Sequence, residues 1–294
     1  MRKRKIKKMM KKLAVEGTVN RRNALIEILE QEEIDYSVQE ADFNIYALKE
    51  EDIKYMKKLL LAVFDKKTVK EMTLEEMANY FYPDSKLRNI IVDIGSNYDE
   101  AEERFLFSAH YDVVPGSTGA IDNASSLVIL LRYMKQLKEE GTNKAIRFLF
   151  TDAEEIGGLG AEYYILKNER SSNKRTVNIN LDVCGCGSVI LAVLNLQNIC
   201  GMNIFDSLEK ERVKVVSEFP ESDATCFHKY GIETFEISTF PWEDAQKILC
   251  PTKLNKKHKY DEIYKYMHNG KYDSLNHVNF EIMLGVEHLL KEMI

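Results

Sequence analysis

Arg104-Phe105-Leu106-Phe107-Ser108-Ala109-His110-Tyr111-Asp112 is an apolar run that stops on a histidine and, two residues later, an aspartate. The apolar part, 105–107, is too short for a helix and reads as a buried strand. The pattern recurs twice downstream. Residues 146–150 run out into Thr151-Asp152-Ala153-Glu154-Glu155, and 177–181 end on Asp182. Between the first two runs, Leu127, Leu130, Leu131, Met134 and Leu137 repeat at spacings of three and four, a helix with a buried face. Working outward, a helix is expected over 20–31 with Leu25, Ile28 and Leu29 on one face, and a strand over 34–43. A helix over 50–64 and a strand over 89–94 follow. Strands over 189–193 and 234–237 and a last helix over 282–290, with Ile282, Val286, Leu289 and Leu290 inward, complete the pattern. Strands alternating with helices predict an α/β fold, a mostly parallel, mixed central sheet with helices on both faces.

The chain is long enough, at 294 residues, for one large α/β domain. No repeat, low-complexity tract or Pro/Gly-rich linker divides it, so a single domain is expected over 18–294 behind a basic arm over 1–17. Eight of the 41 Lys and Arg fall in residues 1–12, with no acid among them. That leaves 33 basic against 47 acidic residues elsewhere, a remainder of −14. A solvated, fraying tail is the plain expectation for such an arm. Ile6, Met9, Met10 and Leu13 stand at helical spacing, so an amphipathic segment docking on an acidic partner, a sister subunit or anionic lipid is the alternative.

The overall charge of −6 argues against a general nucleic-acid binder. No apolar run approaches the length of a membrane span; 59–64 is among the longest. The lysines after Met9 and Met10 rule out a secretory h-region, and cytoplasmic residence is expected. Five cysteines at 184, 186, 200, 226 and 250 do not make a disulfide framework, and Cys184-Gly185-Cys186 lacks a second pair for a thiolate zinc knot. Buried, reduced thiols are expected.

Ligands of open α/β sheets gather beyond the carboxyl ends of the strands. There stand His110, Asp122, Glu154, Glu155 and Asp182, with His268 in a polar loop near the end. Each has an ordinary explanation taken alone: a satisfied structural histidine, a helix N-cap at Asp122, loop glutamates, a turn former at Asp182, a loop histidine. Together, two imidazoles and several carboxylates are a donor set for divalent metal. Glu154 and Glu155 are the most telling. Adjacent carboxylates at a strand end repel, and the glycines at 157 and 158 permit close approach. A cation would take one carboxylate as ligand and leave the other to move a proton. Asp112, two residues from His110, suits the second imidazole nitrogen of a metal-bound histidine.

The ordered segments His110-Tyr111-Asp112, Gly119-Ala120-Ile121-Asp122-Asn123-Ala124-Ser125, Thr151-Asp152-Ala153-Glu154-Glu155-Ile156-Gly157, Asn180-Leu181-Asp182, Ser222-Asp223 and His268…Asp273-Ser274 resemble those of the co-catalytic dizinc aminopeptidases. That family also holds bacterial leucyl aminopeptidases, glutamate carboxypeptidases and glutaminyl cyclases. The resemblance covers about 18–294. It implies a zinc-exopeptidase-like fold and two divalent metal ions, zinc in the family. Asp122 is then the bridging ligand, His110 and Glu155 complete one metal, and Asp182 and His268 complete the other. Glu154 is the implied general base, Asp112 the group that orients His110, and Asp122–Asn123 an expected cis peptide. Three ligand carboxylates against two divalent cations leave one positive charge, which a bridging hydroxide would neutralise; bound water has its pKa pulled toward about 7.

The implied activity is removal of N-terminal residues from short peptides. Glutaminyl-cyclase-like acyl transfer is the alternative, disfavoured by His110, because the cyclases use one metal and lack that ligand. A non-catalytic scaffold is the third reading, disfavoured because all five ligand positions are filled. The partner implied is a small peptide, with assembly into homo-oligomers seen in relatives. Two departures stand out. Phe219 lies where some relatives place a tyrosine, and Ala224 follows Ser222-Asp223 where a histidine often stands. Residues 194–221 and 238–266 are the expected source of the substrate pocket, with Phe240, Trp242, Tyr260 and Tyr264 as a candidate wall. His228, His258, His277 and His288 have no place in the motif.

Overall fold

The computed structural model describes residues 2–44, 48–83, 85–195, 213–217, 219–250, 260–267 and 271–294. Among these, eight strands make one sheet: β1 Ser37–Asp42, β2 Lys86–Gly95, β3 Glu103–His110, β4 Ala145–Thr151, β5 Arg175–Leu181, β6 Val189–Asn195, β7 Lys214–Val216 and β8 Glu233–Phe240. Their spatial order is β1-β2-β4-β3-β5-β8-β6-β7. The centre, β4-β3-β5-β8, is parallel throughout. Antiparallel pairing enters at the flanks, where β2 meets β4 and β6 meets β8. The sheet is therefore mixed around a parallel core, as the alternation of strands and helices predicts.

The central strands are apolar on both faces because helices cover both. Ile90, Val92, Phe105, Phe107, Ile146, Phe148, Phe150, Val177 and Ile179 point into the main core. Their neighbours Ile91, Leu106 and Leu149 point the other way, onto Ala161, Tyr164, Ile165 and Phe227. The main face is covered by α1 (Arg2–Leu13), α2 (Thr18–Gln31), α6 (Ser125–Glu140) and α10 (Phe280–Met293). The opposite face carries α7 (Leu159–Tyr164) and α8 (Asp223–Lys229). Phe107 and Phe148 stack in register with 5.2 Å between ring centres, and Tyr133 of α6 meets Phe107 edge-on at 5.3 Å.

Residues 2–13 depart from the solvated-tail expectation. They form α1, and Ile6, Met10 and Leu13 are buried in the main core beside Leu25, Leu29 and Leu290. The apolar stripe is thus spent within the chain rather than on a partner or lipid. Burying three such side chains contributes several kcal/mol toward holding the helix against the core. Lys12 adds exposed contacts to Glu27 and Gln31 of α2.

The helix expected over 50–64 is shorter and has two companions. It runs as α3 (Glu50–Leu60), followed by α4 (Lys66–Glu71) and α5 (Leu74–Phe81). Two caps explain the breaks. Asp65 accepts from the backbone of Lys67 and Thr68 at 2.9 and 3.0 Å, and Thr73 and Glu76 form a reciprocal capping box. These helices bury Met56, Leu60, Val69 and Met77 against Val114, Ala153 and Ile156, the turns that leave β3 and β4. A ninth helix, α9 (Trp242–Leu249), follows β8.

Candidate metal centre

Because β4, β3 and β5 are parallel neighbours, their carboxyl ends open onto one edge. His110, the last residue of β3, pairs in register with Thr151 of β4, and Ser108 pairs with Asn180 of β5. The residues that follow β4 and β5, Glu154, Glu155 and Asp182, are thereby delivered to the same place as His110. Asp122 comes from the turn Ala120–Ala124 that leads into α6, and the Asp122–Asn123 peptide is cis. Asn123 ties this turn to the end of β5. Its amide donates to the Leu181 carbonyl at 3.0 Å, and its side-chain oxygen accepts from Val183 N–H at 3.2 Å.

The donor atoms converge. His110 Nε2 is 3.0 Å from Asp122 Oδ1, 3.4 Å from Asp182 Oδ1 and 4.0 Å from Glu154 Oε2. One ligand atom each from His110, Asp122 and Asp182 lies within 4.8 Å of the others, and the same holds for His110, Glu154 and Glu155. All but Glu154 and Asp182 are buried, and those two are partly so. Asp182 thus joins His110 and Asp122 in one group, where the resemblance had paired it with His268, while Glu155 groups with His110 and Glu154. His268 lies outside the described residues.

Asp112 organises this edge. Its Oδ1 is 3.2 Å from His110 Nδ1 and accepts from Glu154 N–H at 3.1 Å, while Oδ2 accepts from Glu155 N–H at 3.1 Å. One carboxylate thus fixes the imidazole and the backbone of both glutamates. With the proton on Nδ1 toward Asp112, the Nε2 lone pair faces the oxygens of Asp122 and Asp182. Lone pairs brought that close require a proton or a cation between them. Imidazole nitrogen and carboxylate oxygen are the donors that suit zinc and similar divalent ions, so the residues present fit such an ion.

The electrostatics of the metal-free protein follow from the same crowding. Burial works against a charged His110, yet Asp182, Asp112 and Asp122 carry its pKa well above the ordinary histidine value. Burial, with Asp182, Glu155 and Asp223, holds Glu154 well above the usual carboxylate range, against the pull of His110. Asp223 accepts a short hydrogen bond from Thr151 and is pushed by burial to about 7. Asp152 is also raised, to about 7, chiefly by burial and then by Asp112. Its carboxylate accepts from Arg88 N–H at 2.9 Å and binds the turn to β2. Ala153 and Val183, adjacent to Glu154 and Asp182, hold positive φ of 56° and 52°, a conformation costly for any side chain.

Two further side chains stand behind the ligands. Arg21 of α2 is fully buried and donates to the carbonyls of Asp112, Thr118 and Gly119. Asp273 accepts from Ile121 N–H at 2.6 Å, Asp122 N–H at 3.4 Å and Ser117 Oγ at 2.9 Å. Asp273 carried a signal through its place in the motif; Arg21, one of two adjacent arginines on a helix, carried none. Cys184 and Cys186 are buried free thiols whose Sγ atoms face the carbonyls of Ile237 and Thr239, and neither joins a donor group among the described residues. Of the expected aromatic wall, Phe240 is buried with Phe219 at 5.5 Å and Tyr260 at 6.2 Å, whereas Trp242 and Tyr264 are exposed. Much of 194–221 and 251–259 lies outside the described residues.

Comparison with known proteins points the same way. Aminopeptidase YwaD of Bacillus subtilis is 28% identical over 183 residues, which cover 59% of this chain and 36% of that protein. A vacuolar membrane protease of Saccharomyces cerevisiae is 38% identical over 99 residues, 34% of this chain and 10% of that protein. The chain thus spans about a third or less of the length of these curated relatives. Among solved structures, a zinc aminopeptidase from Bacillus subtilis matches with a TM-score of 0.65 at 17% identity, covering 98% of this chain and 93% of that one. A glutaminyl cyclase from Porphyromonas gingivalis matches with 0.62 at 15% identity, covering 97% and 93%. Both show the same fold. The model of peptidase family M28 matches residues 89–292, which contain every described candidate ligand, and the chain accordingly belongs to peptidase family M28.

Proposed function

We propose that this chain is an aminopeptidase that removes N-terminal residues from short peptides with two bound divalent ions, zinc by analogy with its relatives. The observation that carries this reading is the meeting of His110, Asp122 and Asp182 beside Glu154 and Glu155 at the carboxyl edge of the sheet. We assign His110, Asp122 and Asp182 to one ion, and Asp122, Glu155 and His268 to the other. Bound there, the ions would supply Lewis acidity, polarising the scissile carbonyl and acidifying water.

The remaining work falls to side chains. Asp112 holds the Nδ1 proton of His110 and so keeps Nε2 free as a ligand atom. Glu154 takes a proton from the attacking water and returns it to the leaving nitrogen. Its backbone is fixed by Asp112, which accepts the Glu154 N–H at 3.1 Å. Gly158, at φ +67° and with Cys226 Sγ 2.7 Å from where a Cβ would sit, keeps the turn behind Glu154 tight.

Metal content and hydrolysis of amino-acyl amides and peptides, with and without chelator, test this reading. Two ions per chain are expected, with activity lost to chelator, restored by zinc, and absent on N-acetylated peptides. Glu154→Gln should retain both ions and lose about 100- to 10,000-fold in kcat. One ion per chain with cyclisation of N-terminal glutamine would favour the cyclase reading. A chain without metal or hydrolysis would discard both.

A further inference from the structure

We propose that Arg21 is a positioning residue for the metal centre, its guanidinium locking the loop 112–119 so that His110 and Asp122 stand ready before any ion arrives. This rests on the two-ion reading above. Arg21 lies on α2, outside the segment matched by the family model, and its side chain is entirely buried. Nη1 donates to the Asp112 carbonyl at 3.2 Å, and Nη2 donates to those of Thr118 at 2.7 Å and Gly119 at 3.0 Å. The three acceptors belong to the two ends of one loop. Asp112 opens it two residues after His110, and Gly119 closes it three residues before Asp122. A single planar fork thus sets the chord between two ligands, which a point charge on a flexible stem cannot do as firmly.

The surroundings are shaped to this group. Gly119 holds φ +52°, and a Cβ there would collide with the guanidinium. On the far side of the loop, Asp273 takes the N–H groups of Ile121 and Asp122, and its carbonyl accepts from Thr118 Oγ1 at 2.8 Å. A buried guanidinium is costly unless charge compensates it. Burial opposes its charge most, and the acids that support it are Asp273, Asp122, Asp112 and Glu155, all of them residues of the centre or its supports. Arg21 is therefore the fixed cation behind a cluster of carboxylates, and it holds their scaffold in place when no metal is bound.

Arg104 provides the contrast. It is equally buried and paired with Glu169 at 2.7 Å, but it sits at the opposite end of β3 from His110. The test compares Arg21→Met, Arg21→Lys and Arg104→Lys with the wild type. Zinc affinity is read by competition with a chromogenic chelator, kcat and KM under saturating zinc, and urea stability without metal. Arg21→Met should weaken zinc binding about 10- to 100-fold and lower kcat with KM little changed, and Arg21→Lys should recover part of both. Arg104→Lys should lose stability while keeping wild-type zinc affinity. Wild-type zinc affinity in the Arg21 variants would overturn the inference, as would an equal loss in Arg104→Lys. Should Arg21→Met fail to fold, Arg21→Lys decides by the same criterion. A wild-type chain that binds no zinc would sink the two-ion reading and this inference together, whereas a zinc-binding wild type with unaffected Arg21 variants would sink this inference alone.

Discussion

Glu236 shows how a carboxyl group close to the centre can be held neutral without taking part in it. It lies on β8, opposite Asn180 of β5, and accepts from Ser222 Oγ at 2.5 Å. Burial pushes its pKa from 4.5 to about 8, with Asp182 and Asp223 adding to the rise. Between those two values the folded chain keeps a proton that the unfolded chain has released. The associated stability is complete below 4.5 and is lost as the pH climbs through about 8. Glu236→Gln is neutral at every pH and should abolish that decline, stabilising the metal-free protein at pH 8 by on the order of 1–3 kcal/mol. Urea unfolding at pH 5 and pH 8 checks this; parallel pH dependence in the two proteins would refute it. None of this was visible in the sequence, where Glu236 is one of several polar residues along 233–240. By contrast His110, Asp122, Glu154, Glu155 and Asp182 were legible, because each sits where a strand ends or a helix begins.

At the scale of elements, the parallel centre of the sheet was readable because buried strands need apolar residues on both faces, and 105–107 and 146–150 have them. The direction of β6 was not, since pairing partner and polarity leave no mark in a short apolar run. The basic arm is the clearest reversal. Its lysines advertise solvent, but Ile6, Met10 and Leu13 find a groove formed by α2, α6 and α10 that exists only after the chain has folded. Met10→Ala should therefore destabilise the protein by about 2–5 kcal/mol, measured by urea unfolding, whereas Lys8→Ala on the exposed face should change it by less than about 0.5 kcal/mol. Equal, small effects of both would return the arm to the status of a tail.

For the whole molecule, metal and fold should be coupled. The ligand residues arrive from β3, β4, β5 and the turn before α6, so an ion joins segments that only the folded chain brings together. Zinc at a hundred times its Kd should stabilise the protein by about 2.7 kcal/mol per site, seen as a higher urea midpoint that chelator reverses. His110 and Glu154 are both raised in the metal-free state, so they hold protons that zinc and the ionised base must displace. Zinc affinity should consequently increase from pH 5 to pH 8. An unchanged midpoint, or affinity independent of pH, would contradict this coupling.

Sequence by itself determined the class of fold and the chemical character of the centre, because apolar periodicity sets buried strands and because imidazole and carboxylate at strand ends are the donors for divalent ions. Only the tertiary structure decided which donors face one another, placing Asp182 beside His110 and Asp122. It alone revealed Arg21 beneath the loop and the docking of α1. The reason is physical. Burial and hydrogen-bond partnership between residues some ninety positions apart are properties of the packed chain, and no local pattern encodes them.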